Sequence, residues 1–209
     1  MGTSIETPRS RKGASRTKPE AARAPLTPDT WTDAATDVLA DHGIDSVRVD
    51  VLARTLGVTR GSFYWHFKDR ADLLRSVLRA WRQRATEQLT ARLEQASTDP
   101  QEQLRDVISL PFRGKAALRA ARIELAIRAW ARRDDMARHA VDEADASRMG
   151  YIAQVFSSLG FPIAEARWRA FLLYGYIVAE SVMSRDVTAT QRDERNRFVE
   201  QLVQKKLAR

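Results

Sequence analysis

The sequence predicts an all-α protein, and three observations predict it. From Pro28 onward apolar residues recur at spacings of three and four, the pattern of one helical face. No segment shows the strict alternation of a half-buried strand, and no internal repeat is present. Gly, Pro and capping residues stand at the ends of the periodic runs, where helices start and stop.

The first helix is predicted over Pro28–His42. Thr27 is its N-cap, Pro28 suits the first helical position, and Asp29 suits the positive end of the helix dipole. Trp31, Ala34, Ala35, Val38 and Leu39 form its apolar face, and Gly43 stops it. A second, short helix runs to Leu56, with Val49, Leu52, Ala53 and Leu56 on one side and Gly57 at its end. Thr59 caps a third helix over Arg60–Phe67, in which Phe63 and Phe67, four residues apart, point inward together. Lys68 and Asp69 break the run. Asp69 then caps a longer fourth helix carrying Leu74, Val77, Leu78, Trp81, Ala85 and Leu89 on one side.

Further on, Leu104, Val107 and Ile108 begin a helix that Pro111 kinks or ends. Ile123, Ala126, Ile127 and Trp130 stripe the next one. Asp134–Ser158 follows with Met136, Val141, Met149, Ile152, Val155 and Phe156. Gly160 and Pro162 separate it from the strongly apolar helix Ala164–Met183, and the last helix spans Thr190–Leu207.

Composition narrows the function. With no cysteine, disulfides, thiolate nucleophiles and Cys-based zinc sites are excluded, which fits an intracellular location. The longest apolar run, Ala170–Ala179, falls short of the roughly 20 residues a membrane span needs. The N-terminus lacks the apolar core of a secretory signal. Phosphate-binding, dinucleotide, zinc-protease and nucleophile-elbow motifs are all missing, so no enzyme is expected. His139, Asp142 and Glu143 share a helical face, but the pattern reads as surface charge; no metal and no cofactor are expected.

The net charge of +8 is unevenly spread. Residues 1–25 hold six basic residues (Arg9, Arg11, Lys12, Arg16, Lys18 and Arg23) against Glu6 and Glu20, with prolines at 8, 19 and 25. This arm reads either as a phosphate-neutralising segment or as a solubilising tail, and charge alone does not separate the two. Residues 26–68 are net acidic, with four basic and six acidic side chains. Placement of residues, rather than net charge, must identify any partner of that segment.

Two short helices joined by a tight Gly-containing turn, after a longer amphipathic one, make a helix-turn-helix arrangement. The inner side of the third helix completes a small core. Its outer side is left to enter a groove, and the B-DNA major groove, roughly 12 Å wide, admits one helix with its side chains.

The run from Leu52 to Phe67, containing GVTRGSFYWHF, and its continuation Lys68–Leu74 closely resemble the DNA-binding domain of TetR-family transcriptional regulators. The match covers residues 28–78. The resemblance implies a basic arm over 1–26, a helix-turn-helix domain over 27–74 and a helical effector-binding and dimerisation domain over 75–209. It implies that Thr59 caps the recognition helix and contacts phosphate, and that Arg60, Gly61 and Ser62 form the first turn that reaches base edges. Arg60 reads guanine or clamps phosphate, and Gly61 admits close backbone approach. Tyr64, His66 and Arg70 are implied as phosphate contacts. Trp65 either stacks on sugar or covers the domain surface. Arg48 departs from the family pattern, in which a threonine often caps the second helix. Either Ser46 caps instead or that helix starts later, leaving Arg48 to touch phosphate.

For the remainder, the resemblance implies a homodimer on a palindromic double-stranded operator, with two reading heads roughly 34–36 Å apart. The helix Ala164–Met183 is apolar on several sides, with Trp168, Phe171, Leu172, Gly175, Ala179 and Val182 along one. Together with Phe198, Val199, Leu202 and Val203 it would form a two-fold interface. A small-molecule effector would bind among Phe112, Leu125, Trp130, Phe156 and Phe171 and shift the spacing of the heads. The expected function is a cytoplasmic repressor released by that effector. The alternatives are an orphan regulator without an effector and a helical interaction protein.

Overall fold

The computed structural model describes residues 26–112, 114–183 and 187–206. The basic arm lies outside them, except for Leu26, which packs against the core. Among the described residues every regular element is a helix.

Helix α1 (Pro28–His42) starts in a reciprocal capping box between Thr27 and Thr30 and ends at Gly43, whose φ of 79° favours glycine. A single 3₁₀ turn, Ile44–Ser46, leads into α2 (Val49–Leu56). Gly57, at φ 66°, closes α2 in a Schellman motif: its N–H reaches the Arg54 carbonyl, and the Val58 N–H reaches the Ala53 carbonyl. Helix α3 covers Arg60–Phe63 only. The expected continuation to Phe67 tightens instead, with Tyr64 N–H bonded to the Gly61 carbonyl and both His66 and Phe67 N–H bonded to the Phe63 carbonyl. This tightening still brings Phe67 under Phe63, with ring centroids 5.5 Å apart.

Asp69 caps α4 (Arg70–Arg82) by accepting the Asp72 N–H at 2.8 Å. The fourth helix does not run on evenly. A single π turn, Gln83–Glu87, separates α4 from α5 (Gln88–Ala96) and shifts the phase of the side chains. Leu89, expected on the same stripe, has a side chain outside those described.

Helix α6 (Pro100–Ser109) gives way at Pro111 to a 3₁₀ turn, Leu110–Phe112. Then follow α7 (Gly114–Ala131), α8 (Asp135–Ser158, capped by Asp134), α9 (Ile163–Met183) and α10 (Ala189–Gln204, capped by Thr188).

Two apolar clusters hold the chain together. The first joins Trp31, Leu39, Leu52, Phe63, Leu73, Val77 and Trp81 to Ile127 and Trp130 of α7 and Val141 of α8. It therefore extends past residue 74, and the N-terminal head shares its core with the helical body. The second cluster contains Leu104, Ile108, Phe156, Ala166, Leu173 and Val203. Val203 faces inward, and Val199 packs partly against the same cluster, so only Phe198 and Leu202 of the expected α10 face point outward.

Candidate nucleic-acid interface

Phe63 is fully buried and packs edge-on against Trp31, with centroids 5.4 Å apart. Burying such a ring contributes about 1.5–3 kcal/mol. Because one side of α3 is anchored in this way, its other side projects from the head. Thr59, Arg60 and Gly61 are exposed there, Ser62 and His66 are half-buried, and Tyr64 and Trp65 are 57% and 87% exposed. The Arg60 side chain makes no hydrogen bond or ion pair with the described residues. Thr59 occupies the N-cap position of α3 without a side-chain cap bond, which leaves its hydroxyl available. A methyl group on Gly61 would meet only the Thr59 hydroxyl, at 3.7 Å. Internal packing therefore does not call for a glycine there.

The turn that carries α3 is braced from behind. Arg70, at the start of α4, donates from Nε to the Val47 carbonyl at 2.6 Å and from Nη2 to the Ile44 carbonyl at 2.7 Å. The sequence suggests a phosphate contact for Arg70; the structure engages two of its nitrogens inside the head. Asp72 accepts the Lys68 N–H at 3.2 Å, and this bond above all holds its carboxyl below the usual range.

Arg48 is exposed but engaged, its fork bonded to Asp50 at 3.2 Å through both nitrogens. Desolvation pushes Asp50 upward, but Arg48, its own backbone N–H and Arg54 outweigh this and lower its pKa. Of the two alternatives for the start of the second helix, the cap at Ser46 does not form. Its hydroxyl donates to the His42 carbonyl, and α2 begins at Val49 without a side-chain cap.

The acidic character of the head has a structural outlet. Asp33, Asp37, Asp41 and Asp45 recur every four residues and pair with Arg84, Arg119, Arg122 and Arg133 respectively. Sequence reading missed these partners. The four-residue spacing of the aspartates was the available signal, but nothing local says which arginines answer it. The Asp142–Arg138 and Glu143–Arg82 pairs likewise engage the carboxylates near His139. Among the described residues no group of three or more His, Asp or Glu side chains could hold a metal ion.

The expected effector residues do not come together. Trp130 lies in the first cluster and Phe156 in the second. Leu125 is half-buried on α7, and half-buried Phe112 sits in the 3₁₀ turn with the Arg192 guanidinium 5.6 Å from its ring centroid. Phe171 is 62% exposed on α9, so it faces away from the interior. None of the five lines either the groove of about 300 Å³ between α1 and α7 or the groove of about 460 Å³ between α6 and α10. Phe171 instead belongs to an outward apolar face with Trp168, Leu172 and Val182 of α9 and Phe198 and Leu202 of α10, each more than half exposed.

Residues 32–77 match the family described as bacterial regulatory proteins, tetR family. The HTH-type transcriptional regulator SrpR of Pseudomonas putida is 42% identical over 58 residues, which is 28% of this chain and only 27% of that relative's length. The fold as a whole is similar to a transcriptional regulator from Rhodococcus sp. Rha1, with a TM-score of 0.68 and 21% identity over 85% of this chain and 94% of that one. It is also similar to FadR from Bacillus subtilis in complex with stearoyl-CoA, with a TM-score of 0.62 and 21% identity over 84% of this chain and 96% of that one. At these identities the structural likeness speaks for the shared fold.

Proposed function

We propose that the chain is a member of the TetR family of regulatory proteins and acts as a homodimeric repressor that binds a palindromic operator and is released by a small-molecule effector. The carrying observation is the division of labour within one short segment. Phe63 and Phe67 are buried, while Arg60, Tyr64 and Trp65 beside them are exposed. Thr59, Tyr64 and His66 hold phosphates, Arg60, Gly61 and Ser62 present the base-reading turn, and Trp65 flanks the groove. Arg70 braces the head and offers its remaining nitrogen to the backbone, and Arg48 reaches phosphate when it leaves Asp50.

The outward face of α9 and α10 supports the dimer. Trp168, Phe171 and Leu172 of α9 and Phe198 and Leu202 of α10 are large apolar side chains left exposed, of the kind that marks an interface. A two-fold axis through it would pair each helix with its copy. FadR of the same fold holds stearoyl-CoA, which supports a small-molecule effector for this chain. No described helix is long and apolar enough to cross a membrane, which is compatible with action on cytoplasmic DNA.

Selection of bound fragments from random duplex DNA tests the proposal and yields the operator. A palindrome with half-sites about one helical turn apart is expected. Tyr64→Phe should weaken binding to the selected fragment, and affinity should fall steeply with salt as phosphates are neutralised. Recovery of no enriched sequence, or a flat salt response, would refute it.

A further inference from the structure

Apolar burial does not explain how α10 is seated on the body. Val203 is its one buried residue among those described, and Val199 packs partly beside it. Phe198 and Leu202, each one residue earlier, are 65% and 56% exposed. At 3.6 residues per turn the two pairs lie about 100° apart around the helix. The Phe198–Leu202 pair is larger and would remove more apolar surface from water, yet the valines turn inward. A different interaction sets the rotation of α10.

Two charges of α9 supply it. Among the described residues Arg169 and Glu180 are the charged residues that are buried, at 6% and 5% exposure, and both bind α10. The Arg169 guanidinium donates to the Val203 carbonyl and, at 2.8 Å, to the Lys205 carbonyl. Glu165 accepts from its Nε at 2.9 Å, and the centroid of the Phe161 ring lies 4.1 Å from it, so the fork is held in place. Three turns along α9, Glu180 accepts from Arg195 Nη1 at 2.8 Å and faces Arg192 Nε at 3.7 Å. Between these two points Tyr176 donates to Asn196 at 2.9 Å. Eleven residues separate Arg169 from Glu180 on α9, and eleven separate Arg192 from Val203 on α10, so both contacts fall on one face of each helix. The signs follow the helix dipole. Helix α10 carries no acidic residue in its first turn and no basic residue in its last. Glu180 brings a negative charge to its early turns, and Arg169 satisfies carbonyls left open at its end. Reversing α10, or turning it by a third of a circle, would strip both buried charges of their partners, a costly state.

From this arrangement we infer that Arg169 and Glu180 form a two-point register that fixes the direction and rotation of α10 on α9. The register, rather than apolar burial, keeps Phe198 and Leu202 outward, where a second copy of the chain would meet them. Arg169 and Glu180 are then positioning residues for dimerisation, buried beneath the surface that they arrange. The consequence rests on the dimer reading proposed above, whereas the register rests on contacts within one chain.

The test uses the full chain in two backgrounds. With Leu172→Glu, which places a charge among the exposed apolar residues, amide exchange over residues 189–204 reports the docking of α10 within one chain. There Arg169→Met should raise that exchange at least tenfold while α7–α9 stay protected. Glu180→Gln should do so most strongly over the first half of α10. Arg169→Lys, which keeps the charge and reaches one carbonyl at a time, should restore part of the protection. The sequence has no cysteine, so Gln154→Cys/Gln201→Cys can be spin-labelled cleanly, and Arg169→Met should add a second distance population. With Leu172 intact, Arg169→Met should weaken dimerisation at least tenfold by sedimentation equilibrium. Exchange and distances that overlay the background, or loss of helix content throughout the body in both Arg169→Met and Glu180→Gln, overturn the register. Raised exchange with unchanged dimer affinity overturns its role in dimerisation. If the parent is monomeric at every concentration, the dimer reading fails, while exchange and distance still decide the register.

Discussion

Arg70 offers the sharpest separation of a structural from a DNA-contacting role. Arg70→Ala removes two hydrogen bonds from a charged donor, and each such bond contributes about 1.5–3 kcal/mol. The Ile44 carbonyl retains the Val47 N–H as a second donor, at 3.2 Å. The Val47 carbonyl belongs to a fully buried residue and loses its bond to Arg70. The expected loss is therefore about 3 kcal/mol, more than a hundredfold in the folding equilibrium at about 1.4 kcal/mol per decade. Arg70→Lys can reach only one carbonyl at a time and should lose about half as much. Urea unfolding measures the loss through the midpoint at constant m-value. Salt titration of operator affinity then isolates the phosphate role, since one lost contact lowers the log–log slope by about 0.9. A drop in stability with an unchanged slope would make Arg70 a clamp alone. Stability within about 0.5 kcal/mol of the parent in Arg70→Ala, the range of an ordinary surface change, would refute the reasoning.

Phe63→Ala should destabilise the chain by about 3–5 kcal/mol and melt the head first, as followed by amide exchange over α1–α4. Leu172→Glu should place a charge at the centre of the outward apolar face and convert a dimer to a monomer by light scattering, with the helix content retained. Tyr174 carries a pH signature. Burial and Asp145 raise its pKa from 10.0 to about 12, so the neutral phenol stabilises the fold fully below pH 10. As pH rises from 10 to about 12 the unfolded chain ionises first and that contribution, about 3 kcal/mol, is lost. Tyr174→Phe should start less stable and lack that alkaline decline in a denaturation series.

Much of the head was legible because its signals are local. Thr27, Pro28 and Gly43 set the ends of α1 through capping and backbone preference, and the observed bounds coincide with the expected ones. The inward pair Phe63 and Phe67 follows from a four-residue spacing. The outward positions of Arg60, Tyr64 and Trp65 follow from the same spacing. The α-helix expected through Phe67 ends at Phe63, because a final turn chooses between three- and four-residue bonding on small energy differences that packing decides.

The body was legible as helices but not as a site. Phe112, Leu125, Trp130, Phe156 and Phe171 share size and apolarity, and those properties suit a core, a pocket and a subunit interface equally. Only the arrangement of α7–α10 distributes them among two clusters and an exposed face. Arg70, Arg128 and Arg148 show the same limit. An arginine is long and its partners lie 17 to 63 residues away in sequence, as with Asp145, Val47 and Ala85.

The amino-acid order alone determined where helices begin and end, which sides of them are apolar and that one short segment presents a bare polar edge, since these depend on neighbours within a turn or two. Tertiary structure alone decided the π turn, the arginine ladder along α1 and the contacts of Arg169 and Glu180 with α10. Their energies come from groups brought together across the chain, and no local preference encodes which carboxylate or carbonyl a distant guanidinium will meet.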